Sequence, residues 1–271
     1  MNEVQTKKRQ MARQLSSYYS TEEAEQIARL LLEECFSSPY PQLIIGECKV
    51  NEKMALLDDW VARLLHNEPL QYVLGHTVFG KYDLAVAPGV LIPRPETESL
   101  CEMLCERKLV FPGAEVADVC CGSGAIALYL YGCGAKVDAV EVCEDATFIA
   151  RKNFEKYSAD IHLDVADILA PNFRANRNEY DLVVSNPPYV MEYERSTIAP
   201  HVLYEEPSLA LFVPDNDPIV FYRRIKEIYH SKVFAFEINP LCVEQLRVLF
   251  KAQETEFIED FRGNIRYLIV T

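Results

Sequence analysis

From Glu115 onward the chain alternates short β-branched, apolar runs with amphipathic stretches of helical period, and this alternation allows little besides repeated βα units. Strands are predicted near Glu115–Val119, Val137–Val142, Ile161–Val165, Tyr180–Ser185 and Val233–Ile238. Helices are predicted from Ser123, over Ala146–Tyr157, and from Asp217-Pro218, with the aspartate as cap and the proline in the first turn. Such units build a mostly parallel, doubly wound α/β sheet. Two last β-rich stretches, Thr255–Glu259 and Ile265–Val270, flank the Arg262-Gly263-Asn264 turn and suit an antiparallel edge.

The first ~70 residues carry a helical period instead. Ser20-Thr21-Glu22-Glu23 has the form of a capping box, and Ala24, Ile27, Ala28, Leu31, Leu32 and Cys35 recur behind it at helical spacing. Asn51 is a candidate cap for a second helix, with a stripe of Met54, Leu57, Trp60, Val61, Leu64 and Leu65. Between Leu70 and Pro95, glycines and prolines punctuate short β-like pieces, the pattern of a connecting hairpin. The expected organisation is a helical domain over 1–72, suited to recognising a partner, a hairpin connector over 73–95 and a catalytic domain over 96–271.

Composition narrows the function classes. A chain of 271 residues, 49% hydrophobic and 25% charged, fits one sizeable globular domain with a small appendage. No apolar run reaches the roughly 18 residues that suggest a membrane span, and no apolar segment follows the basic residues near the start, so a cytoplasmic protein without membrane partners is expected. The nine cysteines lie within predicted helices and strands, which favours reduced packing thiols over a disulfide framework. Cys101 and Cys105 share a helix face but have no second pair at ligand spacing, so no metal is expected. A formal charge of −14 argues against holding nucleic acid over a wide surface.

The first βα junction reads Asp118-Val-Cys-Cys-Gly-Ser-Gly-Ala125. Glycine has no Cβ, so a turn through Cys120, Cys121, Gly122, Ser123 and Gly124 lets a ligand approach the backbone, although such turns also occur without ligands. Glu141, about 20 residues on and closing the next strand, is placed to accept hydrogen bonds from ribose hydroxyls. Together these residues indicate an adenosine-containing cofactor. The turn is too short for the dinucleotide pattern with its pyrophosphate site, which favours S-adenosyl-L-methionine. Asp167-Ile168 follows the third strand where adenine could be contacted, and a plain turn aspartate accounts for it equally well.

Ser185-Asn186-Pro187-Pro188-Tyr189 ends the strand Tyr180–Ser185. Two prolines remove two backbone donors and fix the chain direction. The Asn186 side-chain carbonyl and the Pro187 backbone carbonyl can then accept both hydrogens of an NH₂ group, with Pro188 shaping the wall and Tyr189 stacking on the planar group. This is a receptor for an amide or an exocyclic amine.

Asn-Pro-Pro-Tyr resembles the motif of class I (Rossmann-like) methyltransferases that act on planar nitrogens. Further strings resemble the release factor glutamine methyltransferases, the PrmC/HemK family: Glu68-Pro69-Leu70-Gln71-Tyr72, Ile92-Pro93-Arg94-Pro95-Glu96-Thr97-Glu98, Glu206-Pro207, Phe236-Glu237-Ile238-Asn239, and Gly263 with Arg266. The resemblance implies that the acceptor is the glutamine of a Gly-Gly-Gln loop in peptide chain release factors. It places Arg94, Glu96 and Thr97 near the cofactor, while prolines beside a helix start also suit a structural boundary. Family members usually carry glycine where this chain has Cys120. A side chain there can crowd the cofactor's methionine end if the position needs positive φ or close approach, but cysteine is small, so tolerance with weaker cofactor binding is expected. Two rivals remain: an adenine N6-methyltransferase, which needs a basic groove or a target-recognition domain, and a non-catalytic cofactor-binding protein of the translation apparatus.

Overall fold

The computed structural model describes residues 2–46 and 50–271, and Cys48 lies outside them. The chain divides into a helical unit, reaching to Gly75 and joined by Pro200–Glu205, and an α/β unit formed by His76–Ala199 and Glu206–Thr271.

In the helical unit, helices Glu3–Leu15, Thr21–Phe36 and Met54–Leu65 turn their apolar faces into one core that includes Met11, Leu31, Leu57 and Leu64. Ser20 caps the second of these by accepting the Glu23 N–H at 3.2 Å, while a reciprocal capping box forms at Asn2 and Gln5. Asn51 is not a cap. It sits inside a 3₁₀ turn, Val50–Lys53, and the helix starts one residue later. Glu68 receives a two-pronged hydrogen bond from Arg63, at 2.8 and 2.5 Å, and Arg63 also reaches the carbonyls of Tyr72 and Val73. A planar guanidinium suits this role because its five donors can tie a carboxylate and the end of the short helix Leu70–Leu74 together.

The α/β unit opens with the hairpin β1 (His76–Phe79) and β2 (Tyr82–Ala85). The main sheet then uses β3 (Glu115–Val119), β4 (Lys136–Glu141), β5 (His162–Val165) and β6 (Tyr180–Ser185). A small parallel pair, β7 (Val190–Met191) and β8 (Phe212–Val213), follows. The sheet is completed by β9 (Ser231–Glu237), β10 (Thr255–Glu259) and β11 (Ile265–Val270). Its order is β10-β11-β9-β6-β3-β4-β5, with β11 antiparallel to both neighbours and the other neighbours parallel.

The helix expected from Asp217-Pro218 begins instead at Val220. The Asp217 carboxylate is taken by the Arg223 guanidinium and does not cap. From β3 the chain winds one way to β4 and β5 and the other way to β6 and β9, so β3 and β6 mark the switch point. In open α/β sheets a crevice forms there, beyond the carboxyl ends of the strands.

Candidate active site

A cleft of ≈ 210 Å³ opens at that switch point. One water needs only about 10–15 Å³, so the space is ligand-sized. Cys120, Cys121, Gly122 and Ser123 from the β3 turn, Glu141 from β4, Asp167 after β5, and Asn186 with Pro188 after β6 all line it. A second cavity of ≈ 50 Å³ shares Leu91, Arg94, Asn186 and Ala210 with the first and adds Tyr189 and Leu211. The two spaces therefore meet along Leu91, Arg94, Asn186 and Ala210.

The turn after β3 is built on left-handed backbone, with φ of +64° at Cys120, +55° at Gly122 and +78° at Gly124. Glycine adopts this region freely, whereas a cysteine pays roughly 1–2 kcal/mol. The N–H groups of Cys120 and Cys121 both donate to the Val140 carbonyl, at 3.0 and 3.1 Å, which holds the strained residue in place. Burial pushes the Cys120 thiol well above its ordinary range, and the charges of Glu141 and Asp118 add to this. The residue is half-buried, packing against the core while also lining the cleft.

Asn153, fully buried on helix Glu144–Lys156, fixes the far side of the turn. Its amide donates to the carbonyls of Ser123 (2.9 Å) and Ala85 (3.1 Å), and its oxygen accepts the Ala85 N–H at 2.7 Å.

Glu141 already accepts three backbone hydrogen bonds. Val142 and Cys143 donate to Oε1 at 2.8 and 2.9 Å, and Gly122 donates to Oε2 at 3.0 Å. A carboxylate offers about four acceptor sites, so one remains for a ligand hydroxyl rather than two.

Gly124 and Ile168, expected at the cofactor, do not line the cleft. Gly124 faces helix Glu144–Lys156, where an added Cβ would stand 2.5 Å from the Phe154 ring. Ile168 is buried in the core on the β9 side of the sheet, and its carbonyl accepts from Arg224, while Leu169 lines the cleft in its place. Pro187 is buried and lines neither space. Sheet pairing of β6 ends at Ser185, whose hydroxyl donates to the Val119 carbonyl at 2.5 Å.

Arg94 and Thr97, which the resemblance placed near the cofactor, line the cleft together with Gly89, Leu91 and Pro93, whereas Glu96 does not. Glu206 ties this segment down: its carboxylate accepts the Ile92 N–H at 3.1 Å and pairs with the Arg94 guanidinium. The sequence signal for this segment was the family resemblance of residues 92–98, whereas no spacing rule joins it to Glu206. Of the described residues lining the larger cleft, Arg94 is the one cation, and its charge is spent on Glu206.

A family model described as PrmC N-terminal domain matches residues 8–75, and one described as Methyltransferase small domain matches residues 95–211. A release factor glutamine methyltransferase of Bacteroides thetaiotaomicron is 39% identical over 237 residues, covering 83% of this chain and 82% of the relative. That of Flavobacterium psychrophilum is 33% identical over 277 residues, covering 96% of each. The chain belongs to the release factor glutamine methyltransferase family.

Solved structures agree on the fold. A methyltransferase of Pyrococcus furiosus superposes with a TM-score of 0.50 at 19% identity, over 79% of this chain and 98% of that one. A 16S rRNA methyltransferase of T. thermophilus gives 0.51 at 20% identity, over 72% and 49%. The α/β unit of this family member thus has the class I methyltransferase fold. Among the described residues, no helix is long and apolar enough to cross a membrane.

Proposed function

We propose that this chain transfers a methyl group from S-adenosyl-L-methionine to the side-chain amide nitrogen of a glutamine in a peptide chain release factor. The observation that carries this reading is the meeting of a larger and a smaller cavity along residues that include Asn186.

The larger cleft suits the methyl donor. Its single cation is already paired, which disfavours a pyrophosphate, and Glu141 keeps one acceptor site for a hydroxyl. Cys120, Cys121, Gly122, Ser123, Glu141 and Asp167 are the residues that would hold it. When bound, S-adenosyl-L-methionine supplies an electrophilic methyl group.

The smaller cavity suits a planar amide. An amide nitrogen is a weak nucleophile because its lone pair is delocalised, so orientation and charge stabilisation are what the protein must add. The Asn186 Oδ1 accepts one of the amide hydrogens, aims the nitrogen and stabilises positive charge developing on it, while the Pro187 carbonyl expected to accept the other belongs to a buried residue that lines neither cavity. Tyr189 forms the wall beside it. Positioning of this kind is worth roughly 7–11 kcal/mol in well-oriented systems.

Incubation with labelled S-adenosyl-L-methionine and a folded release factor should give one added methyl on one glutamine by mass spectrometry. Asn186→Ala should lower turnover at least ~100-fold with cofactor affinity little changed. Label found only on adenine of added nucleic acid would replace the acceptor, and no transfer at all would leave a cofactor-binding protein.

A further inference from the structure

Asn186 does not reach its partners alone. Its Nδ2 donates to Thr97 Oγ1 at 3.0 Å, and Thr97 Oγ1 donates in turn to Glu237 Oε2 at 2.8 Å. The other oxygen of Glu237 accepts from the Tyr189 hydroxyl, also at 2.8 Å. Three elements of the α/β unit converge here: the first turn of helix Pro95–Glu106, the end of β9, and the segment after β6. Thr97 is 5% exposed and Glu237 2% exposed.

The chain of bonds has a direction. Burial raises the Glu237 pKa, yet both of its oxygens act as acceptors, one from the Thr97 hydroxyl and the other from the Tyr189 hydroxyl. The Thr97 proton is therefore committed to Glu237, and the hydroxyl oxygen turns its lone pairs toward Asn186. Asn186 must then present its NH₂ to Thr97, which leaves its carbonyl oxygen for whatever enters the smaller cavity. Without that constraint a side-chain amide can turn over by 180°, and the flipped form would set donor against donor when a glutamine NH₂ arrives. A buried carboxylate is also weak evidence for stability, since an apolar group of like volume commonly packs as well or better.

We propose that Thr97 and Glu237 are positioning residues that fix the Asn186 amide with its oxygen toward the acceptor, and that Glu237 seats the Tyr189 ring through its second oxygen. This rests on the proposed function, because it assigns the orientation that function requires. Thr97 lies 89 residues from Asn186 in sequence, and Glu237 lies 140 from Thr97, so the relay exists only in the fold.

The test compares the full chain with its Asn186→Ala, Thr97→Val, Thr97→Ala and Thr97→Ser variants, using folded release factor and S-adenosyl-L-methionine. Thr97→Val keeps the shape and removes the hydroxyl, and Thr97→Ala removes the hydroxyl and the methyl together, so it cannot clash. Both should lose kcat by roughly 10- to 100-fold, with KM for the release factor and calorimetric cofactor affinity within about 3-fold. Thr97→Ser retains the hydroxyl and should stay within about 3-fold of wild-type kcat. A purely structural threonine would lower folded yield or raise KM and would not separate serine from valine and alanine. Wild-type kcat in both hydroxyl-free variants, beside an inactive Asn186→Ala, overturns the relay while the function stands. Loss in Thr97→Ser equal to that in Thr97→Val overturns it as well, since packing of the methyl would then be the cause. A wild-type chain that leaves the release factor unmethylated overturns the function, and the relay with it.

Discussion

The Glu141 carboxylate and the Gly122 backbone N–H stand 3.0 Å apart, joined across the adjacent ends of β4 and β3. One side chain thereby shapes the glycine turn and offers an acceptor to the cleft. Glu141→Ala should weaken S-adenosyl-L-methionine by roughly 1.5–3 kcal/mol, about 10- to 100-fold in Kd. Glu141→Gln should do little better, because an amide that keeps its oxygen on Val142 and Cys143 turns its NH₂ against the Gly122 N–H. Calorimetry giving unchanged affinity for either variant would remove Glu141 from the cofactor site.

Cys120 sits at φ +64°, where an L side chain is strained. Cys120→Gly relieves that strain but adds freedom to the unfolded chain, so stability should move by less than about 1 kcal/mol in either direction. Cys120→Val places a β-branched residue in the same region and should cost roughly 1–3 kcal/mol. Denaturant midpoints of the two variants check this, and equal midpoints would mean the turn does not keep its left-handed backbone in solution.

Asp118 is fully buried beneath the turn, with Oδ2 accepting the Ala127 N–H at 2.9 Å. Burial raises its pKa from 3.8 to about 7, with the Glu141 charge adding to the rise. Between these values the folded chain binds a proton that the unfolded chain has released, so this contribution to stability is complete at low pH and is lost as pH rises through about 7. Between pH 5 and pH 8 the loss should be roughly 2–3 kcal/mol. Asp118→Asn keeps an acceptor for Ala127 and removes the titration. Denaturation at both pH values should show a shallower pH dependence in the variant, and parallel curves would show that the carboxyl is not held neutral.

The α/β frame was legible because each strand and helix declares its own period, and Asn186 through Tyr189 was legible because its chemistry lies in consecutive residues. Local signals failed where a tertiary contact intervened, a charge in one case and the apolar core in the other. Asp217 looks like a cap until Arg223 takes its carboxylate, and Ile168 looks like a cofactor contact until the core claims its side chain. Thr97 and Glu237 sit in strings that resemble the family, yet no spacing rule joins residues 140 apart, so their contact had to come from the fold. The strain at Cys120 lay between these cases: the sequence named the residue, and only the backbone angle decided the conformation.

The last prediction concerns how much of the acceptor must be present. The smaller cavity, at ≈ 50 Å³ between Asn186, Tyr189 and Leu211, has room for a planar side-chain end and little else. So small a contact cannot itself offset the loss of freedom on association, which costs an estimated 4–15 kcal/mol. The remaining binding energy must come from surfaces outside the cavity, and in the transition state those remote contacts hold the amide in the attacking geometry. A free Gly-Gly-Gln peptide should therefore show a kcat/KM at least ~100-fold below that of an intact release factor, with the deficit in kcat as well as KM. Steady-state methylation of the two acceptors measures this directly. Equal kcat/KM for peptide and factor would mean that the cavity alone selects the substrate, and the recognition role expected of residues 1–72 would fall with it.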